Sequence, residues 1–144
     1  MAVTIDANVL VYAQDRASAS HDRARQALEA ELATGEPVYL FMPVVLAFLR
    51  VSTQPGLFAR PLSLRRAYEN IAQLLALPHV TLGLPTDRFL HELVEVAEPR
   101  NAIGRLVHDA EIVTLMKEHS VERILTADRD FLRFDGIEVT LLAR

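Results

Sequence analysis

Four aspartates of this 144-residue chain stand where a carboxylate needs explaining. Asp6 follows the apolar stretch Val3-Thr4-Ile5 and precedes a second one, Val9-Leu10-Val11. Asp128 follows Ile124-Leu125-Thr126-Ala127, and Asp130 lies two residues further on. Asp109 sits inside LVHDAEIVTL, where its i−3, i+3 and i+4 neighbours are Leu106, Ile112 and Val113. That pattern puts Asp109 on the apolar, inward stripe of a helix, whereas Glu111 falls about 200° away and faces solvent. Carboxylates converging in one place repel: a pair at ~4 Å costs about 4 kcal/mol at an effective dielectric of about 20. Such a group persists if protons are retained or a cation sits among its members. Oxygen donors without histidine or cysteine at ligand spacing suit a hard ion, Mg²⁺ or Mn²⁺. The chemistry built on such an ion is metal-assisted hydrolysis of a phosphodiester. Taken singly, each acid also has a plainer reading: Asp6 as a helix cap, Asp128 and Asp130 as a polar turn, Asp109 as half of an ion pair. Their joint placement carries the functional reading, and Asn8 is placed to hold Asp6 or to cap the helix.

The elements that must position these side chains are short. Strands are expected over residues 2–6, 38–42, 79–84, 122–127 and 136–142. Helices are expected over 6–13, 18–35 with a serine cap, 44–53 with Pro43 as first helical residue, 63–77, 87–97 capped by Thr86, and 105–120. Loops fill 54–61 and 99–104, and 128–134 reads as a turn. Apolar strands alternating with helices predict an α/β domain with a mainly parallel central sheet, residues 1–144 forming one domain. Ligands of open α/β sheets bind beyond the carboxyl ends of the strands, where Asp6 and Asp128 fall.

Composition excludes several classes. There is no cysteine, hence no disulfide framework and no thiolate metal site, which accords with an expected cytoplasmic location. No leader pattern opens the chain, and no apolar run approaches the ~20 residues of a membrane span. The net charge of −4 rules out a bulk basic field. Arginine nevertheless supplies 14 of the 15 basic residues, and its fork suits phosphate, although a coding bias explains the count equally well. Arg50 and Arg105 are the phosphate candidates if they reach the crevice. His108, about 100° round the helix from Asp109, reads as a packing or surface residue. Leu46, Phe48 and Leu49 read as either a dimer face or core.

TIDANVLVYA, LVHDAEIVTL and ILTADRDFLRF, in this order and spacing, resemble the PIN domain, and within it the VapC-type ribonuclease toxins of toxin–antitoxin modules. The resemblance spans essentially the whole chain. It implies a three-layer α/β/α sandwich and an Mg²⁺- or Mn²⁺-dependent endoribonuclease acting on structured RNA such as tRNA or rRNA. By position it makes Asp6, Asp109 and Asp128 metal-site and catalytic acids, Asp130 an accessory metal-site acid, and Asn8 and Thr126 their orienting partners. It also implies a homodimer and a small VapB-like antitoxin whose C-terminal segment blocks the site.

The chain departs from the pattern once. Aligning VVLAFLRV on Arg50 puts Ala47 where the family carries a glutamate, so the second metal-site acid is missing and Asp130 is the residue that would compensate. This departure supports a rival reading, a non-catalytic PIN scaffold that binds RNA or protein. A second rival, a haloacid-dehalogenase-type phosphatase, is suggested by Asp6-Ala-Asn8-Val9. It is weakened by Asn8 where that type has aspartate and by Lys117, the one lysine, two turns beyond Asp109.

Overall fold

A computed structural model describes residues 1–142, so the last two residues of the expected 1–144 domain lie outside the described residues. In chain order the strands are β1 (Val3–Ile5), β2 (Val38–Phe41), β3 (Val80–Gly83), β4 (Arg123–Thr126) and β5 (Glu138–Leu141). The helices are α1 (Ala7–Gln14), α2 (His21–Ala33), α3 (Met42–Thr53), α4 (Leu64–Leu75), α5 (Phe89–Ala97) and α6 (Leu106–Glu118). Short 3₁₀ segments cover Glu98–Arg100 and Arg129–Arg133.

All five strands are parallel, in the order β3-β2-β1-β4-β5. β1 is central and wholly buried, pairing Val3 with Val38 on one side and Ile5 with Leu125 on the other. The order reverses between β1 and β4: the chain leaves β1 toward β2 on one side, and β4 returns on the other. Such a reversal opens a crevice at the carboxyl ends of the two strands. Val3, Ile5, Leu40, Ile124 and Leu125 fill the sheet. α6 packs over it with Ala110, Ile112, Val113, Leu115 and Met116 buried, which is why LVHDAEIVTL is apolar almost all round.

Helix boundaries follow local chemistry, with some differences from expectation. α2 starts at His21, and Ser20 precedes it without a capping side-chain bond; Ser18 Oγ instead accepts the Ser20 amide. Gly35, at φ 76°, ends that hairpin in a conformation that costs glycine little. Met42, expected to end β2, is the first residue of α3, so Pro43 is the second; proline is tolerated there because the first-turn amides have no intrahelical partner. Thr86 does not cap α5, which begins three residues later. Its Oγ accepts the Arg88 amide, and its hydroxyl bonds the Glu118 carboxylate. Gly83 is required for packing rather than for its backbone angles: a Cβ there would lie 2.4 Å from the Phe41 ring.

Candidate metal centre

Asp6 is the first residue beyond β1. Its backbone N–H donates to Leu125 O at 2.9 Å, fixing it at the carboxyl end of the β1–β4 pair. Its side chain is 6% exposed and already served by three donors. Oδ1 accepts the Ala7 amide at 2.7 Å, and Oδ2 accepts the Thr126 hydroxyl at 2.6 Å and the Asn8 amide group at 3.2 Å. The cap reading of Asp6 is thus correct as far as it goes, since it N-caps α1. Burial raises its carboxyl pKa, and the Thr126 and Ala7 hydrogen bonds take back part of that rise.

Thr126 and Asn8 do what their positions suggested. The Thr126 hydroxyl donates to Asp6 and accepts the Asp128 amide at 3.0 Å. Asn8 reaches across to accept the Ala127 amide at 3.2 Å while donating to Asp6. Together they bind the β1–α1 junction to the end of β4. Asp128 then accepts the Asp130 amide at 2.8 Å, capping the 3₁₀ turn and turning Asp130 toward the same crevice.

Asp109 approaches from α6 and is buried at 7% exposure. Among the described residues no hydrogen bond reaches its side chain, in contrast to Asp6. Its pKa is pushed up to about 6, first by burial and then by the charges of Asp128 and Asp6. Asp109, Asp128 and Asp130 each present an atom within 4.8 Å of the others. Opposite oxygens on an octahedral Mg²⁺ stand about 4 Å apart, so these three fit one small hard cation. Asp6 adjoins them closely enough for its charge to raise the Asp109 pKa, and its Oδ1, which accepts the Ala7 amide alone, keeps a free acceptor position.

The remaining candidates divide. Arg105 reaches the site, where its Nη1 donates to Asp130 Oδ2 at 2.8 Å while the rest of its side chain is exposed. Arg50 lies exposed in the last turn of α3, about 12 Å along that helix from its start, and among the described residues it makes no hydrogen bond or ion pair to the acids. Ala47 is half-buried on α3, which carries no acidic residue, so β1, α6 and the end of β4 supply the whole acid set. His108 is exposed and pairs with Glu111 at 3.5 Å, yet its charge still reaches Asp6 and Asp109 and lowers both. The helical angle hides that proximity, because both residues lie in the first turn of a helix that opens on the site. Phe48 is core, Leu49 is half-buried and Leu46 is exposed, which resolves the two readings of that apolar run residue by residue.

Parallel strands, a crevice at the β1–β4 reversal and converging aspartates define an α/β domain with an acidic carboxyl-end site. Comparison with known proteins narrows the class. Residues 3–137 match the PIN domain model. Ribonuclease VapC48 of Mycobacterium tuberculosis (strain CDC 1551 / Oshkosh) is 42% identical over 139 residues, 96% of each chain. Two solved structures share the fold. One is VapBC2 from Rickettsia felis, bound to a DNA fragment from its promoter (TM-score 0.69, 16% identity, 99% of this chain and 100% of that one). The other is Mycobacterium tuberculosis VapC20, a Sarcin-Ricin loop cleaving toxin (TM-score 0.66, 15% identity, 94% and 98%). This chain belongs to the PIN domain family, in its VapC ribonuclease branch. The phosphatase reading falls with that assignment.

Proposed function

We propose that the protein is a divalent-metal-dependent endoribonuclease, a single-domain toxin held in check by a cognate VapB-like antitoxin. The observation that carries this reading is the buried Asp109 carboxylate, which no donor reaches among the described residues, within one ion's span of Asp128 and Asp130. A chain that served only as a scaffold would gain stability by losing such a charge. Asp109, Asp128 and Asp130, with Asp6 beside them, would hold Mg²⁺ or Mn²⁺, which would supply charge neutralisation and an activated water toward an RNA phosphodiester. Asp6, through Thr126, holds the Asp128 backbone in place, and Asn8 locks the same junction from the other side. Asp130 does the work that a glutamate at position 47 would have done.

The resemblance to VapC toxins implies the remaining parts of the reading: a structured RNA such as tRNA or rRNA as substrate, and a homodimer. Leu46, Leu64 and Tyr68, exposed on α3 and α4, are apolar surface available to such an assembly. Among the described residues no helix is long and apolar enough to cross a membrane, and a cytoplasmic toxin is the simplest setting.

One observation favours a second reading: the acid-free α3 leaves the site one carboxylate short, as a binding scaffold would tolerate. Cleavage of a panel of tRNAs and rRNA stem-loops by purified protein, with Mg²⁺, Mn²⁺ or EDTA, separates the two. Cleavage that needs metal and vanishes in Asp109→Asn establishes the enzyme. Intact RNA under every condition, from folded protein free of antitoxin, leaves the scaffold standing.

A further inference from the structure

An acidic cluster in a protein of net charge −4 repels the very polyanion it would cut. Phosphate affinity must therefore come from cations elsewhere. Arg105, the basic residue seen to contact the cluster, is already bound to Asp130. A cavity of about 750 Å³ lies between the C-terminal end of α1, the 54–62 loop and the first turn of α4. Arg16, Arg60 and Arg66 all line it, and Asp15 is its one acid. Among the described residues none of the three arginines forms an ion pair. Asp15 is turned to its own loop, accepting the Ala17 amide at 3.1 Å.

The walls of this cavity are fixed. Phe58, 5% exposed, anchors the loop in the core. The Phe58 amide bonds Gln54 O and the Leu62 amide bonds Ser52 O at 2.8 Å. Asn70 of α4 donates to Gln14 at the end of α1 at 3.0 Å, tying two walls together. Arg66, like its neighbour Arg65, stands in the first turn of α4, where the helix dipole disfavours a cation. Concentrating like charges there lowers stability unless an anion offsets them.

Position relative to the acids completes the argument. α1 begins at Asp6 and ends at this cavity after eight residues, about 12 Å. A nucleic-acid strand covers that distance in a few nucleotides. Guanidinium forks grip phosphate in two-point contacts and stack on bases, and the apolar lining from Phe58 and Leu62 suits a base as well.

We propose that Arg16, Arg60 and Arg66 form a phosphate-binding subsite for the RNA strand flanking the scissile bond, one α1 length from the acidic cluster. The inference rests on the ribonuclease reading, and its test is made independent of cleavage. Binding of a fluorescein-labelled oligouridylate is measured by anisotropy in EDTA, across a salt series, for wild type, the triple Arg→Ala variant and the triple Arg→Lys variant. All three substituted positions are exposed, and circular dichroism checks that the variants fold. Three lost single-strand phosphate contacts should make the log–log salt slope shallower by about 2. Between about 50 and about 200 mM salt, the wild type then loses about 20-fold more affinity than the alanine variant, while the lysine variant keeps the wild-type slope. Equal affinity and slope in the wild type and the alanine variant would overturn the proposal. So would an alanine variant that keeps its grip on oligouridylate but loses a poly-glutamate peptide, since the cavity would then serve an acidic protein segment. If arginine-dependent binding holds while wild type cleaves no RNA with Mg²⁺ or Mn²⁺, the subsite stands and the ribonuclease reading falls.

Discussion

The two ends of β4 treat charge in opposite ways. At its start, Arg123 meets Glu31 of α2 in a two-point ion pair, both contacts at 2.7 Å, with side chains 19% and 14% exposed. Just past its other end, Asp128 joins Asp109 and Asp130 with no buried cation supplied among the described residues. The surface Arg105 touches Asp130 alone. The first end shows that this chain neutralises a buried charge where the role is structural. The second end withholds a partner in the same strand, a few residues on. That difference supports the proposed role of the carboxyl-end cluster as a place for an outside ligand.

The sharpest way to break this contrast is Asp109→Asn. Cleavage of a responsive RNA with Mg²⁺ should fall by more than about 100-fold, beyond the 10- to 100-fold typical of residues that merely support metal ligands. In metal-free protein the same change removes a buried charge that no hydrogen bond meets among the described residues and that His108 offsets only in part, so its melting temperature should stay level or rise. A melting temperature that drops steeply would mean that Asp109 is structural, like Glu31. The reciprocal change at the other end, Arg123→Ala, leaves Glu31 buried and unpaired. Allowing for partial exposure, it should cost about 3 kcal/mol, or about 6–12 °C in melting temperature for a domain of this size, with metal affinity unchanged by calorimetry.

Thr126→Val tests the connection between capping and the cluster. It removes the hydroxyl that donates to Asp6 and accepts from Asp128, at a cost of about 1–3 kcal/mol for leaving buried polar groups unmet. Because Asp128 is no longer held, metal affinity should weaken by about 10-fold or more. If stability falls and affinity holds, Thr126 serves only the fold.

The same contrast predicts a pH signature. Asp109 has its pKa raised from 3.8 to about 6 by burial and its acidic neighbours. A carboxyl whose folded pKa lies above its unfolded value binds its proton more tightly when folded. Its contribution is therefore neutral below pH 3.8, where both states are protonated, and its penalty is complete above about pH 6. Metal-free protein should thus lose stability as pH rises through that window in chemical denaturation, and saturating Mg²⁺ should remove the loss. A flat profile in both conditions would mean that Asp109 ionises without strain.

How much of this was legible depended on the range of the interaction. The inward position of Asp109 followed from a 3.6-residue period within one helix, and Asp6 and Asp128 at strand ends followed from the apolar runs before them. Those are local signals, and the α/β class came from the same alternation. The order β3-β2-β1-β4-β5 was not legible, because it is set by pairings such as Ile5 with Leu125, 120 residues apart in sequence. For the same reason the hydrogen-bond partners of Asp6 were only partly legible. Its Thr126 partner sits on another strand, so the bond that holds its carboxylate became visible only in three dimensions. The Thr86 cap failed because Glu118, from α6, captured the threonine hydroxyl that local spacing had assigned to the helix.

The smallest expected effect isolates the one cation that, among the described residues, touches the cluster. Arg105 is 80% exposed at its side chain and holds Asp130 Oδ2 at 2.8 Å. An exposed ion pair of this kind contributes little to stability, so Arg105→Ala should leave the melting temperature within about 1 °C. Its effect on the site should be larger than its effect on the fold. Removing Arg105 frees an Asp130 oxygen, and Mg²⁺ affinity by calorimetry should then tighten by about 2- to 5-fold, as expected for one screened surface charge. Asp130→Ala in the same titration should weaken it, because the chain has no acid at position 47 to take over. If Arg105→Ala weakens metal binding as well, the pair acts as a unit: Arg105 then orients Asp130 for the ion rather than competing with it, and the carboxyl end of β4 resembles its amino end more than the uncompensated Asp109 suggests.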